Sequence, residues 1–243
     1  ATDNTSDVVS YQVSWDSDNY TDIGDSTSYN VTSPLPDGPY TFYVRAVDSA
    51  SNPGDPAIWP FTIDTTPPPA PVISSSTHLS ETTWYSHNAP SFDWTTPADL
   101  SGIAGYSYSL DQVSDNIPDT TMEPSGNSAN YTDVANGVWY FHIMAKDNAG
   151  NWSETAHYEV WIDITSPDAP VISSSTHPSQ TTWYNDNDPS FSWTTPTDLS
   201  DIEGYSYSFD HVSDNVPDTT VDTAGNSANY TDVANGVWYF HIM

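Results

Sequence analysis

Short runs along this chain alternate apolar and polar residues with a period of two. In Gly105 to Asp111, Tyr106, Tyr108 and Leu110 fall on one side, and Ser107 and Ser109 on the other. That alternation predicts a β-strand with one face turned to a core. The same pattern turns Tyr11, Val13 and Trp15 inward, with Gln12 and Ser14 outward, and later Tyr205, Tyr207 and Phe209 inward. A longer strand turns Trp139, Phe141, Ile143 and Ala145 in, and Tyr140, His142, Met144 and Lys146 out; its early counterpart reads Tyr40, Phe42, Val44, Ala46. Closing strands bury Tyr158, Val160 and Ile162, or Trp59, Phe61 and Ile63. Pro60 marks its strand as an edge, because proline cannot donate to a ladder. Phe92 and Trp94 face in around Asp93; Phe191 and Trp193 face in around Ser192. No segment sustains a helical period, so an all-β fold is expected.

The strands repeat. Shifting the chain by 99 positions lays residues 70–144 on 169–243 without a gap, and only 16 of those 75 positions differ. The start of the chain joins in: Gly38 to Phe42 falls on Gly137 to Phe141, Asp48 on Asp147, Asn52 on Asn151 and Asp64 on Asp163. Further upstream the register slips, and Ser6 to Asp16 matches Ser101 to Asp111, as expected of a loop that changes length. The expected organisation is residues 1–66 as a repeat lacking its first strands, 67–164 as a complete repeat, and 165–243 as a repeat lacking its last strand. A natural polypeptide continuing in both directions accounts for the cuts; a neighbouring chain donating the missing strands is the alternative.

The residues carrying these strands resemble a known family. Leu35-Pro36-Asp37-Gly38-Pro39-Tyr40, followed by Tyr43 to Asp48, is similar to the approach to strand F in fibronectin type III and bacterial immunoglobulin-like domains. Tyr40 would be the tyrosine-corner residue; the later copies place Trp139 and Trp238 there. Asp64-Thr65-Thr66-Pro67-Pro68 and Asp147-Asn148-Ala149-Gly150-Asn151 resemble junction and loop motifs of tandem repeats in large bacterial and archaeal surface proteins and adhesins. The resemblance implies tandem immunoglobulin-like, fibronectin type III-like β-sandwiches, one complete and two partial.

Composition narrows the function classes. Thirty-three acidic residues face two basic ones, Arg45 and Lys146, for a net charge of −31. Such a chain is expected to repel nucleic acid and anionic membranes, which bind through Lys and Arg. There is no cysteine, so neither a disulfide framework nor a thiolate metal site is available. No run is long and apolar enough for a membrane helix, and no signal-like leader opens the chain at Ala1. No Gly-x-Ser-x-Gly elbow, phosphate loop or helical His-x-x-x-His pair occurs, and acidic pairs abound by composition alone. An enzyme is not expected. The histidines, His78, His142, His177 and His241 among them, read as surface residues.

Two kinds of candidate site remain. The junctions Thr66 to Pro71 and Ser166 to Pro170 are proline-rich and stiff. In a seven-stranded sandwich the last strand ends near the next repeat's B–C and F–G loops. Asp64, Asp99 and Asp147 can therefore converge at the first junction, and Asp163 and Asp198 at the second. Calcium takes six to eight oxygens; in the adhesin repeats this chain resembles, and in cadherins, it stiffens such junctions. The competing reading is that these acids cap turns. Sequons at Asn4, Asn19, Asn30, Asn130, Asn151 and Asn229 offer glycosylation positions. Trp84-Tyr85 and Trp183-Tyr184, with Trp161 and Tyr140, are candidate sugar platforms. The expected role is a structural segment of a long extracellular surface protein, a stiff acidic rod within a stalk, fibre, filament or sheath. Its partners would be neighbouring repeats or other copies. The alternative is an adhesive or carbohydrate-binding module.

Overall fold

The computed structural model describes residues 7–243, and among them the only regular elements are strands. The first four are β1 (Val8–Ser14), β2 (Thr21–Asp22), β3 (Gly38–Asp48) and β4 (Ala57–Ile63). Next come β5 (Ile73–Ser75), β6 (Trp84–Tyr85), β7 (Ser91–Trp94), β8 (Ile103–Asp111), β9 (Ser128–Asn130), β10 (Gly137–Asp147) and β11 (Ala156–Ile162). The last five are β12 (Ile172–Ser174), β13 (Ser190–Trp193), β14 (Tyr207–Asp210), β15 (Ser227–Asn229) and β16 (Tyr239–Ile242). Among the described residues, no helix is long and apolar enough to cross a membrane. The Asn4 sequon lies outside the described residues.

The chain forms two compact units. The first comprises the residues up to Ser75, Phe92–Ala129 and Tyr140–Tyr158; the second comprises Ser76–Ser91, Asn130–Trp139 and Glu159–Met243.

In the first unit, an antiparallel sheet runs in the order β2-β1-β3-β4. β4 is its edge, as Pro60 requires. β5 and β7 pair antiparallel, Ile73 opposite Trp94 and Ser75 opposite Phe92. β8 and β10 pair antiparallel from Tyr140 opposite Asp111 to Asp147 opposite Ile103. The two layers meet through aromatic rings. Phe92 stacks on Phe141 at 4.3 Å between centroids, and Trp94 lies 5.4 Å from both Tyr106 and Tyr108. Facing sheets with interdigitated rings are a sandwich core.

In the second unit, β12-β13-β15 form one antiparallel sheet and β14-β16 another. Phe191 stacks on Phe240 at 4.5 Å, and Trp193 meets Tyr205 at 5.4 Å. Near-identical sequence has produced the same facing layers twice. β6 pairs parallel with β11, Trp161 opposite Trp84. These strand orders and layers define an all-β, immunoglobulin-like, fibronectin type III-like sandwich fold.

Inward positions largely follow the alternation: Phe92, Phe141, Ile143, Ala145, Tyr158, Val160 and Ile162 are buried. Three expectations are corrected. Trp59 is 71% exposed, because it sits on the edge strand with a ladder neighbour, Phe42, on one side only. Ser14 and Ser107, both read as outward, are buried, and the Ser14 hydroxyl donates to Asp16. His142 and Met144, also read as outward, are buried as well. His142 meets the His157 ring at 4.9 Å and the Asp111 carboxylate at 3.4 Å, so side chains from its own sheet close over it.

The tyrosine corner survives a change of residue. The Tyr40 hydroxyl donates to the Pro36 carbonyl at 2.7 Å. Trp139 and Trp238 donate their indole N–H to the carbonyls of Ala135 and Ala234, both at 2.9 Å. Each bond reaches four residues back, so an indole reproduces the span of the phenol.

Candidate junction site

The end of β4 brings Asp64 to the loop between β7 and β8, which carries Asp99, and to the loop after β10, which begins at Asp147. All three lie in the first unit. One carboxylate oxygen from each falls within 4.8 Å of the others. The sequence expectation that these three converge is met geometrically. Like charges this close repel, so the arrangement depends on donors.

The Ser101 N–H donates to both Asp64 and Asp99 at 3.0 Å, and the Ser101 hydroxyl donates again to Asp99. Asp147 is 1% exposed and accepts from the N–H groups of Gly150 and Asn151 and from the Asn151 amide. Burial pushes the Asp147 carboxyl up, but the Asn151 amide and these N–H groups prevail and hold it below the ordinary carboxylate value. The Asn151 amide also reaches the Asp64 carbonyl at 3.2 Å. Asn148 clamps the β7–β8 loop by donating to the carbonyls of Ser101 and Gly102. Gly102 has a φ of +77°, and its counterpart Asp201 keeps the same left-handed backbone at +63°.

The second junction repeats the pattern within the second unit. The Ser200 N–H donates to Asp163 at 3.2 Å and to Asp198 at 3.1 Å. The Thr165 N–H, ahead of other donors, holds the Asp163 carboxyl below its ordinary value against the effect of burial.

Sequence reasoning missed one pair of residues. Asp37 accepts from the N–H and hydroxyl of Thr65 and from the hydroxyl of Thr66, all on the linker. Asn136, 99 positions later, donates to Asp163 and Thr165 and accepts from the Ile164 N–H. Both precede a glycine at positive φ, Gly38 and Gly137. That Asx-Gly signal was visible, but it reads as a turn and does not disclose its reach of nearly thirty residues.

The other candidates fall as follows. Asn19, Asn30, Asn130 and Asn229 are exposed, whereas Asn151 is half-buried with its amide engaged as above. Asn130 and Asn229 each accept from a serine on the neighbouring strand, Ser91 and Ser190, at 2.6 Å. Trp84 packs against Trp161 at 5.3 Å, while Trp183 is 79% exposed. The surface reading of the histidines is overturned at His78 and His142, both fully buried. His78 has one ring nitrogen on the His87 carbonyl and the other on the Thr77 hydroxyl, and that hydroxyl accepts from the Ser91 N–H. It is a structural bracket, repeated by His177, Thr176, Asp186 and Ser190.

No protein-family model matches the chain. No curated protein matches it. Among solved structures, it overlaps the fibronectin(III)-like modules of Clostridium thermocellum CbhA at 13% identity, covering 67% of this chain and 82% of that one, with a TM-score of 0.33. It overlaps the central fibronectin-III array of RIM-binding protein at 14% identity, covering 95% and 79%, with a TM-score of 0.27. It overlaps chitinase ChiA74 from Bacillus thuringiensis at 20% identity, covering 69% and 26%, with a TM-score of 0.30. Overlaps this loose say nothing about activity or partners, and the fold assignment rests on the strand orders and facing aromatic layers described above.

Proposed function

We propose that the chain is a structural spacer in a long extracellular surface protein, such as a stalk, fibre, filament or sheath. One observation carries this reading: both junctions are built from the same bonds. Asp64 with Ser101, and Asp163 with Ser200, tie the end of a closing strand to the loop 37 residues further on. Asp37 and Asn136 fasten the intervening linker. A junction secured at both ends keeps its geometry, and repeated copies make a stiff acidic rod. The role is mechanical, with no catalytic step.

Calcium belongs to this reading as a junction ion on Asp64, Asp99 and Asp147, with Asp163 and Asp198 as the second set. Carboxylates at this spacing suit a hard cation. Calorimetry of the full chain in calcium and in chelator tests it. The melting temperature should rise with calcium, and less so in Asp99→Asn; equal curves would remove calcium from the account. For the junction itself, small-angle scattering should give a narrow distance distribution in the parent and a broader one in Asp64→Ala combined with Asn136→Ala. An unchanged distribution would count against a spacer stiffened by these bonds.

The exposed Trp183 favours a second reading, a carbohydrate-binding module. Glycan-array binding lost in Trp183→Ala would support it over the spacer.

A further inference from the structure

On the outer face of β10, His142 is fully buried and His157 on β11 is exposed. Their Nδ1 atoms lie 2.7 Å apart, and the rings meet edge to face at 4.9 Å. The other ring nitrogen of His142, Nε2, is 3.4 Å from the Asp111 carboxylate at the end of β8. Nε2 of His142 is buried without a hydrogen bond of good geometry, and the negative charge of the nearby carboxylate favours a proton on Nε2, which leaves Nδ1 with the lone pair. Burial, ahead of the opposing pull of Asp111, holds the His142 imidazole below its ordinary pKa, which keeps that lone pair available at neutral pH. At 2.7 Å, His157 then supplies the single proton between the rings.

We propose that a zinc-like divalent cation takes the place of this proton, which passes through water to Nε2 of the exposed His157, with neutral His142 and His157 as its Nδ1 ligands and Asp111 as the carboxylate that orients His142. Imidazole suits zinc, copper and nickel, whereas calcium and magnesium prefer oxygen. A carboxylate on the far nitrogen of a ligating histidine fixes the tautomer and raises its basicity, as seen around bound metals. Zinc–nitrogen bonds of about 2.0–2.1 Å set two tetrahedral ligands roughly 3.4 Å apart, so the rings must separate slightly. The exposed His157 can turn to do this, and water reaches the open side to complete the coordination.

The repeats supply an internal control. In the third copy His241 lies 3.9 Å from Asp210 and meets the Val212 carbonyl; the position equivalent to His157 falls after residue 243, so His241 serves as a single-imidazole reference within this chain. In the first copy the equivalent positions hold Tyr43 and Ile58. The first copy therefore lacks the site, and among the described residues the paired imidazoles occur in the middle copy.

The test is imidazole nitrogen NMR of the full chain at neutral pH, in excess calcium to occupy carboxylates, with zinc added to stoichiometry. The His142 and His157 Nδ1 resonances should move together to metal-bound positions while His241 stays put. His157→Ala should abolish the His142 shift, and Asp111→Asn should weaken zinc binding by about 10–100-fold. His157 is exposed, so its replacement leaves the core intact. Shifts shared equally with His241, zinc binding unchanged in His157→Ala, or a bridging proton that persists in zinc would each overturn the proposal.

Discussion

Individual side chains carry two separable effects here. The corner bond is the simpler one. Removing the donor in Tyr40→Phe, or the indole N–H in Trp139→Phe, should each lower unfolding free energy by about 0.5–1.5 kcal/mol, measured by denaturant titration. A null effect for Trp139 alone would mean its ring, not its N–H, matters. The second effect is pH dependence. His78 and His142 have pKa values held below the ordinary 6.5, in both cases chiefly by burial. The unfolded chain therefore binds these protons first. Their contribution is complete above 6.5 and is lost as pH falls through the lowered native values. Asp147 and Asp163, also lowered, add a second loss below 3.8. The denaturation midpoint should fall between about pH 7 and about pH 5, before any carboxylate protonates. A flat profile across that window would contradict the burial of the two imidazoles.

The elements explain how a loop change of several residues leaves the strands intact. Asp111 and Asp210 each end a strand and Asp16 follows β1 by two residues; all three cap the turn that follows, accepting from N–H groups or an asparagine amide within five residues. A capped turn can lengthen beyond the cap without disturbing the ladder before it. Close approach matters at one glycine. A Cβ on Gly204 would stand 2.5 Å from Val221 and 2.8 Å from the Thr223 carbonyl, where the returning segment bonds to Tyr205. Gly204→Ala should destabilise the chain by roughly 1–3 kcal/mol, since backbone must move to admit it. Gly105→Ala should be milder, because its nearest neighbour is the flexible Met122 sulfur at 3.0 Å. Equal losses at both would show that propensity, not crowding, sets the cost.

Across the whole molecule the net charge of −31 is the dominant long-range feature. Self-repulsion of spread acids is screened within about 10 Å at moderate salt. Thermal stability should therefore rise with sodium chloride from low ionic strength, even without divalent ions. Comparing that rise with the effect of calcium at equal ionic strength separates screening from binding at Asp64, Asp99 and Asp147.

The amino-acid sequence alone determined which residues alternate, where the copy at +99 begins, and which aspartates end strands or open loops. Phe92, Phe141, Phe191 and Phe240 were legible as core because period two states which side of its own strand a residue occupies. Convergence of Asp64, Asp99 and Asp147 was legible once a sandwich order was assumed. Tertiary structure alone decided what covers each side. His142 and Met144 lie on the outward side yet are buried, and Trp59 lies on the inward side yet is exposed. The bonds of Asp37 and Asn136 to the linkers, and the meeting of His142 with His157, were likewise fixed only by folding. Local alternation records the direction of a side chain, whereas burial depends on segments far away in sequence that fold across that direction.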